Sequence, residues 1–265
     1  MRHNRSLELI RGGGIALGMF SLEFASTGLA RTVASAGADF VVFDQEHTGW
    51  TTETIRLLLS SARASDVAPL VRVPTSAPHG IGIALALGAL GVMVPMVDSE
   101  EETRAIVAAA KYPPEGTRGF AVLYEDEHGN DVAGYMRAAN REIAVIVMIE
   151  TRTALANLDA IAAVPGVDVL WIGHYDLTAS LGIPGQFEHP DFLEALRRVV
   201  AACESNGIAA GMSTDSLADA HVLLDKGFRF VAYGHDLVLL RTALRTGIDE
   251  LRAAHPAQQS SPVAI

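Results

Sequence analysis

Short apolar segments alternate with longer segments of helical periodicity along most of the chain. Several apolar segments end in a charged residue, as Phe40–Phe43 does at Asp44. Continuous apolar runs of this length are typical of strands buried on both faces of a parallel sheet. We therefore predict eight strands, at 15–19, 40–44, 69–73, 91–95, 144–150, 167–173, 208–212 and 229–233.

The intervening segments predict the helices of an α/β protein, near 24–37, 52–65, 79–87, 99–111, 151–163, 191–205, 215–226 and 236–252. Strictly alternating strands and helices indicate parallel strands joined by right-handed crossovers. Eight such units predict a (β/α)8 TIM barrel. A doubly wound open sheet is the alternative, but the glycines at 12–14 precede the first strand, where a phosphate-binding turn would follow it.

Two segments do not fit the repeat of strand and helix. We interpret residues 1–253 as a single barrel domain and residues 254–265, rich in Pro, Gln and Ser, as a flexible C-terminal tail. Residues 112–143 form a long excursion with an acidic stretch at 125–131. This excursion predicts a lid, a subunit contact or a solvated loop.

Composition limits the classes of partner and compartment. The chain of 265 residues carries 20 Lys+Arg against 31 Asp+Glu, which argues against nucleic-acid and membrane binding. The single cysteine, Cys203, excludes an internal disulfide framework and fits a reducing cytoplasm, and we expect it to be a small residue of the helix around 192–205 rather than a nucleophile. The uncharged stretch at 81–97 is broken by Gly and Pro, so we expect no membrane span. We predict a cytoplasmic enzyme that acts on small molecules.

Two carboxylates follow neighbouring predicted strands at the expected mouth of the barrel. Glu150 ends the fifth strand and Asp176 follows the sixth, and adjacent strands lie about 5 Å apart. Carboxylates this close repel each other unless a cation lies between them. Mg²⁺ and Mn²⁺ take oxygen ligands and retain open positions for substrate. The alternative is that each carboxylate caps a helix or pairs with a base.

An arginine and a histidine are predicted at the same end of the barrel. Arg72 closes an otherwise apolar strand, where a guanidinium needs an anionic partner. His47 follows Asp44 by three residues, which allows an Asp–His contact that would fix the imidazole tautomer. A divalent cation, an arginine and a histidine base suit the formation of an enolate from a 2-oxo acid. Schiff-base chemistry is disfavoured because Lys111 and Lys226 lie by helix ends.

The order and spacing of several motifs together resemble those of the HpcH/HpaI family of metal-dependent (class II) pyruvate aldolases, which are 4-hydroxy-2-oxo-acid aldolases. The likeness covers about residues 14–252, and its carriers are Phe43–His47, Val71–Pro74, Gly88–Val97, Tyr112–Gly119, Ile149–Arg152 and Ile172–Leu177. The resemblance implies a (β/α)8 barrel that assembles as a homohexamer, a trimer of dimers. It implies a divalent cofactor, Mg²⁺ or Mn²⁺ with Co²⁺ as a further option.

The resemblance also assigns roles to individual residues. It implies Glu150 and Asp176 as metal ligands, Arg72 as the group that stabilises the oxyanion, and His47 with Asp44 in acid–base work. Backbone amides from Gly173 through His174 to Tyr175 would hold the substrate carboxylate. The implied reaction is the reversible cleavage of a 4-hydroxy-2-oxo acid to pyruvate, or a related 2-oxo acid, and an aldehyde through a metal-bound enolate.

Three departures from the family pattern involve four positions. Ala86 stands where the family commonly has an aspartate that reaches a neighbouring subunit, and Met148 stands where it usually has glutamine. His174 and Tyr175 replace the usual Pro-Ala. These changes leave open a metal-dependent oxaloacetate decarboxylase or another enolate-forming lyase on the same site, and a non-catalytic 2-oxo-acid-binding protein.

Overall fold

The computed structural model describes residues 1–120 and 131–255. Eight parallel strands close into a barrel in chain order, and the last strand pairs with the first. The strands are β1 (Ala16–Ser21), β2 (Phe40–Asp44), β3 (Ala68–Arg72), β4 (Gly91–Val94), β5 (Ala144–Ile149), β6 (Val169–Ile172), β7 (Ala209–Thr214) and β8 (Phe230–His235). The predicted (β/α)8 TIM barrel is confirmed, and the open doubly wound sheet is excluded.

The helices of the described residues surround this barrel. They are α1 (Arg5–Arg11), α2 (Leu29–Ser35), α3 (Thr52–Ala62), α4 (Pro78–Ala86), α5 (Glu100–Ala110), α6 (Val132–Glu142), α7 (Arg152–Ala156), α8 (Leu158–Ala162), α9 (His174–Ser180), α10 (Pro190–Asn206), α11 (Leu217–Asp225) and α12 (Asp236–Ala254). None of these helices has the length and apolar character that crossing a bilayer requires.

The structure corrects the predicted helices in several places. It adds α1, α6 and α9, and it divides the helix predicted at 151–163 into α7 and α8 around Asn157. Helices as short as α1 and α9 span about two turns, too few for an apolar period to stand out in a sequence. Part of the predicted excursion at 112–143 is helix α6. Residues 121–130 of the excursion and residues 256–265 of the tail lie outside the described residues.

Side chains of the strands alternate between two apolar layers. On β2, Phe40 and Val42 point into the barrel, whereas Val41 and Phe43 pack under the helices. The rings of Phe40 and Phe230 stack inside the barrel with centroids 4.1 Å apart. Gly18 makes room for this pair, because a Cβ at that position would collide with the Phe40 ring and carbonyl. The interior is therefore filled with side chains below the mouth.

Helix α1 closes the amino-terminal end of the barrel. Its residues Leu7 and Ile10 belong to the interior apolar cluster. The fully buried Asn4 caps the helix by accepting from Leu7 N, and its amide donates to Leu90 O at 2.8 Å. Helix α1 is thus tied to the segments that precede β4 and β5, and the carboxyl-terminal end of the barrel remains the open one.

Candidate active site

Asp44 and Arg72 form a buried ion pair at the carboxyl-terminal ends of β2 and β3. The two residues are register partners on neighbouring strands. Arg72 donates from Nε and Nη2 to the two Asp44 carboxylate oxygens at 2.8 and 2.9 Å. Burial acts to lower the pKa of Arg72, but the hydrogen bonds and charge of Asp44 outweigh it and raise that pKa. The anionic partner that the sequence required for Arg72 is therefore Asp44.

The same carboxylate fixes the turn that carries His47. Asp44 accepts from the backbone N–H groups of Glu46 and His47, at 3.0 and 3.3 Å. The predicted contact between Asp44 and the His47 ring does not form, because the carboxylate oxygens are taken by Arg72 and by these backbone donors. The imidazole lies instead 3.7 Å from Glu46 Oε2 and is 62% exposed. His47 therefore presents its ring to the mouth of the barrel.

Glu46 is a partly buried carboxylate that the sequence analysis did not assign to the site. Its Oε2 lies 3.3 Å from Arg72 Nε, and it accepts no hydrogen bond within the described part of the chain. Burial raises the pKa of Glu46, and the positive charge of Arg72 opposes this rise. Its position between Asp44 and His47 was the signal available in the sequence.

Glu150 follows β5 and lies almost fully buried at the mouth. Its Oε2 accepts from Met96 N at 2.8 Å. Burial raises the pKa of Glu150 to about 7; the Met96 N–H opposes this rise, and the charges of Glu46 and Asp176 add to it. Met96 adopts a φ of 56°, a strained value for a residue with a side chain. The turn after β4 is thus held in an unfavourable conformation that aims a donor at Glu150.

Gly173 and Asp176, which follow β6, lie at the mouth of the barrel together with Glu150. A Cβ on Gly173 would collide with Glu150 Oε1, so only glycine allows the carboxylate to lie against this backbone. Asp176 lies exposed in the first turn of α9 and raises the pKa of both Glu46 and Glu150. Glu150 does not cap helix α7, because the side chain of Thr151 is its N-cap. The carboxylates of Glu46, Glu150 and Asp176 are therefore close enough at the mouth for their charges to act on one another.

A cavity of 1260 Å³ opens above these groups. Of the residues singled out from the sequence, all but Asp44 line it: His47, Arg72, Glu150, Gly173, His174, Tyr175 and Asp176. Asp44 lies beneath them and holds Arg72. The apolar floor comes from the barrel interior, where the Arg72 guanidinium lies 5.2 Å from the centre of the Phe20 ring. Met148 also lines the cavity, at the position where the family pattern has glutamine.

Other lining residues were not assigned to the site from the sequence. Phe187 contacts His174, with ring centres 5.2 Å apart, although it follows β6 by many residues. Burial lowers the pKa of His174, and the charges of Asp215 and Asp176 oppose this change. His235 ends β8 with a buried Nδ1 that has no hydrogen-bond partner in residues 1–120 and 131–255. Only the loop geometry identifies Phe187, whereas Asp215 and His235 could have been found by extending the strand-end rule to β7 and β8.

The donor set available at the mouth consists of carboxylate oxygens. Among the described residues, no three His, Cys, Asp or Glu side chains converge into a complete metal cage. Glu150 and the exposed Asp176 supply two carboxylate groups, and Glu46 adds a buried Oε2 that accepts no hydrogen bond among the described residues. Mutual repulsion within this set fits a hard divalent cation that keeps several coordination positions for water or substrate.

The HpcH/HpaI aldolase/citrate lyase family model matches residues 17–243. The chain belongs to this family. The match spans every strand of the barrel and both strand ends that carry Arg72 and Glu150. The family resemblance found in the sequence is confirmed.

Individual members of the HpcH/HpaI family are similar to the chain over most of its length. It is 37% identical over 221 residues to the 2-dehydro-3,6-dideoxy-6-sulfogluconate aldolase of Pseudomonas putida, covering 83% of this chain and 86% of that one. It is 40% identical over 211 residues to a pyruvate aldolase of Rhizobium etli, covering 80% and 83%. The crystal structure of an HpcH/HpaI aldolase from Desulfitobacterium hafniense superposes with a TM-score of 0.88 and 29% identity over 97% and 98% of the two chains. The protein is a carbon–carbon lyase with aldolase relatives, as predicted.

Proposed function

We propose that the protein is a divalent-metal-dependent aldolase that reversibly cleaves a 4-hydroxy-2-oxo acid to pyruvate, or a related 2-oxo acid, and an aldehyde. The observation that carries this proposal is the cluster of carboxylates that lines the mouth, where the charges of Glu46 and Asp176 act on Glu150 and the Arg72 guanidinium lies 3.3 Å from Glu46. Such a site favours a cation and an anionic 2-oxo acid together, because each reduces the electrostatic cost of the other.

Glu150 and Asp176 are the proposed metal ligands, with Mg²⁺ or Mn²⁺ preferred and Co²⁺ as a further option. Their oxygen donors and the open cavity beside them fit ions that retain exchangeable positions. A cation held there would act as a Lewis acid on the keto oxygen of the substrate.

The remaining steps belong to residues of the chain. Arg72 is positioned to donate to the oxygen that gains negative charge when the enolate forms. The exposed imidazole of His47 moves the C3 proton of pyruvate or the hydroxyl proton of the aldol. Asp44 acts through Arg72 and His47, because it binds the Arg72 guanidinium and the turn that carries His47. The backbone amides of Gly173, His174 and Tyr175 remain the proposed site of the substrate carboxylate, following the family resemblance.

Proton exchange at the methyl group of pyruvate tests this proposal. The purified protein is incubated with pyruvate in D₂O with Mn²⁺, with Mg²⁺ or with EDTA, and the methyl signal is followed by NMR. Exchange that requires a divalent ion supports the enolate site. Absence of exchange with every ion contradicts the proposed aldolase, and rapid loss of CO₂ from oxaloacetate under the same conditions would assign the site to decarboxylation instead.

We also propose that the protein is a homo-oligomer, with a hexamer expected from the family resemblance. The apolar face of α12 is exposed along its length, at Leu237, Leu240, Leu244, Ile248 and Leu251. The outward-facing Leu17 of β1 and Tyr233 of β8 are exposed as well, so this seam of the barrel lacks a complete helical cover. An apolar stripe and an uncovered apolar seam in one chain favour burial against a second copy. Sedimentation velocity of the wild type and of Leu244→Glu tests this; an unchanged monomer in both contradicts it.

A further inference from the structure

Three aromatic side chains form one wall of the cavity. His174, Tyr175 and Phe187, which we call the aromatic wall, contact one another pairwise. Ring centres lie 4.5 Å apart for His174–Tyr175, 5.2 Å for His174–Phe187 and 5.3 Å for Tyr175–Phe187. The two contacts of Phe187 are edge-to-face, the arrangement that aromatic quadrupoles favour.

The side chains of the aromatic wall line the cavity beside the proposed chemistry, which uses only the backbone amides of His174 and Tyr175. Tyr175 is 66% exposed and directly precedes Asp176, so its ring stands beside the carboxylates rather than in the core. Phe187 comes from the loop after α9 and is anchored by a ring contact to Phe192 of α10, at 5.7 Å. The exposed Tyr175 ring, with the partly exposed rings of His174 and Phe187 beside it in the cavity lining, offers an aromatic binding surface, since folding gains nothing from leaving the Tyr175 ring in water.

The charges on this side of the cavity disfavour an anionic ligand. The lining includes the carboxylates of Glu188, Asp215 and Asp219, and the described lining residues outside the Arg72 pair offer one ammonium or guanidinium, Lys226. Arg72 is already shared between Asp44 and Glu46. A carboxylate or sulfonate on the acceptor would meet repulsion here, whereas a neutral group would not.

We infer that the acceptor of the aldol reaction is a neutral aldehyde with an aromatic ring, which stacks against the aromatic wall formed by His174, Tyr175 and Phe187. The inference rests on the proposed function. In the synthetic direction pyruvate loses a C3 proton to the base, and C3 attacks the carbonyl carbon of the aldehyde. The C=O π pair moves to oxygen, which takes one proton, and the product is a 4-aryl-4-hydroxy-2-oxobutanoate.

A matched set of aldehydes tests the acceptor class. With pyruvate and Mn²⁺, kcat/KM is measured for benzaldehyde, for the neutral polar glyceraldehyde and for the anionic succinic semialdehyde. We expect kcat/KM for benzaldehyde to exceed that for each of the other two aldehydes by at least about 10-fold. The ring contact with the aromatic wall favours benzaldehyde over glyceraldehyde, and charge repulsion disfavours succinic semialdehyde. Equal values, or a preference for succinic semialdehyde, overturn the inference while leaving the aldolase intact.

Phe187→Leu separates the acceptor surface from the enolate chemistry. This variant keeps the apolar packing against Phe192 but removes the ring that faces His174 and Tyr175. We expect kcat/KM for benzaldehyde to fall about 10-fold, with pyruvate methyl exchange and the glyceraldehyde rate unchanged. A variant with an unaltered aldehyde profile contradicts the role of the wall.

Binding without turnover provides an independent measurement. Saturation-transfer NMR with benzyl alcohol, a ring that cannot react, is expected to show transfer with the wild type and reduced transfer with Phe187→Leu. Failure of methyl exchange together with retained benzyl alcohol binding would reject the aldolase proposal and keep the aromatic site. Exchange without benzyl alcohol binding would reject the aromatic site alone.

Discussion

The two ends of the barrel differ in how their carboxylates are paired with positive charges. At the amino-terminal end, Asp39 and Asp168 each accept a backbone N–H of a neighbouring strand and each pair with an arginine of α1, Arg5 or Arg11. At the carboxyl-terminal end, Asp44, Glu46 and Glu150 all depend on Arg72. Charge is balanced residue by residue at the first end, and an excess of negative charge is left at the second.

This difference separates the structural end of the molecule from its chemical end. Paired and hydrogen-bonded carboxylates below the barrel stabilise the strand starts, while crowded carboxylates above it are costly unless a ligand completes them. The strained Met96 lies at the same end, and its backbone N–H donates to Glu150. Stability is therefore concentrated where α1 closes the barrel, and binding capacity where the cavity opens.

Glu150→Gln and Asp168→Asn compare one carboxylate from each end, with the largest expected effects. Glu150→Gln should lower metal-dependent methyl exchange by about 10³-fold, since the Lewis acid contributes several kcal/mol. Without metal at pH 8 it should melt above the wild type, because burial and neighbouring carboxylates raise the Glu150 pKa to about 7 and disfavour its ionised form. Methyl exchange with Mn²⁺ and thermal melting in EDTA measure the two effects, and calorimetric Mn²⁺ titration measures metal binding.

Asp168→Asn is the matched control for that variant. It should melt below the wild type, because the Arg11 ion pair at 2.8 Å is lost, and it should bind Mn²⁺ normally. If both variants shifted the melting temperature in the same direction, the contrast between the two ends would be wrong.

Arg72→Lys probes the single cation that the carboxylates of the mouth share. The lysine keeps a positive charge beside Asp44 but cannot reproduce the two-pronged contact, so methyl exchange should fall about 10²-fold. Arg72→Ala is a poorer probe, because it leaves Asp44 buried and unpaired at a cost of about 3–5 kcal/mol. Exchange within twofold of the wild-type rate in Arg72→Lys would remove Arg72 from the chemistry.

Asn4→Ala tests the closed end of the barrel. It removes the cap of α1 and the side-chain amide that donates to the carbonyls of Leu90 and Glu142, so the free energy of unfolding should fall by about 2–3 kcal/mol. Denaturant titration measures the loss, and labelling of Cys203 reports it independently, since burial raises the pKa of that thiol to about 12. Methyl exchange should be unchanged in the folded variant; a large loss of exchange would show that the two ends are coupled.

His3→Gln has the smallest expected effect and a defined pH dependence. Hydrogen bonding to Glu8 raises the pKa of His3, with burial opposing it and Glu142 adding to it. A raised histidine pKa stabilises the fold below pH 6.5, and this contribution is lost as the pH rises through the folded-state value. Wild type and variant should melt together at pH 8 and differ by about 1 °C at pH 5.5, since the site is exposed and screened. A difference that grows toward pH 8 contradicts this account.

The sequence alone was sufficient for the barrel and for the end of the barrel at which the candidate residues lie. Apolar runs can be recognised one segment at a time, and parallel strand ends converge at one edge of a barrel, so Arg72 and Glu150 could be placed there without knowing any contact. The short helices α1 and α9 escaped detection because their apolar period is too brief. Phe187 escaped because a loop, rather than a strand, carries it to the cavity.

The partners of each charged group were decided only by the tertiary structure. Asp44 was within sequence reach of His47, but the register of β2 against β3 puts Arg72 nearer to its carboxylate, and a bidentate ion pair outcompetes a single contact with a ring. The donor to Glu150 is likewise a backbone group on another turn, Met96 N–H. Patterns along a chain determine which residues reach an end of the fold; which of them touch depends on register and loop conformation, because these bring together atoms from distant parts of the sequence.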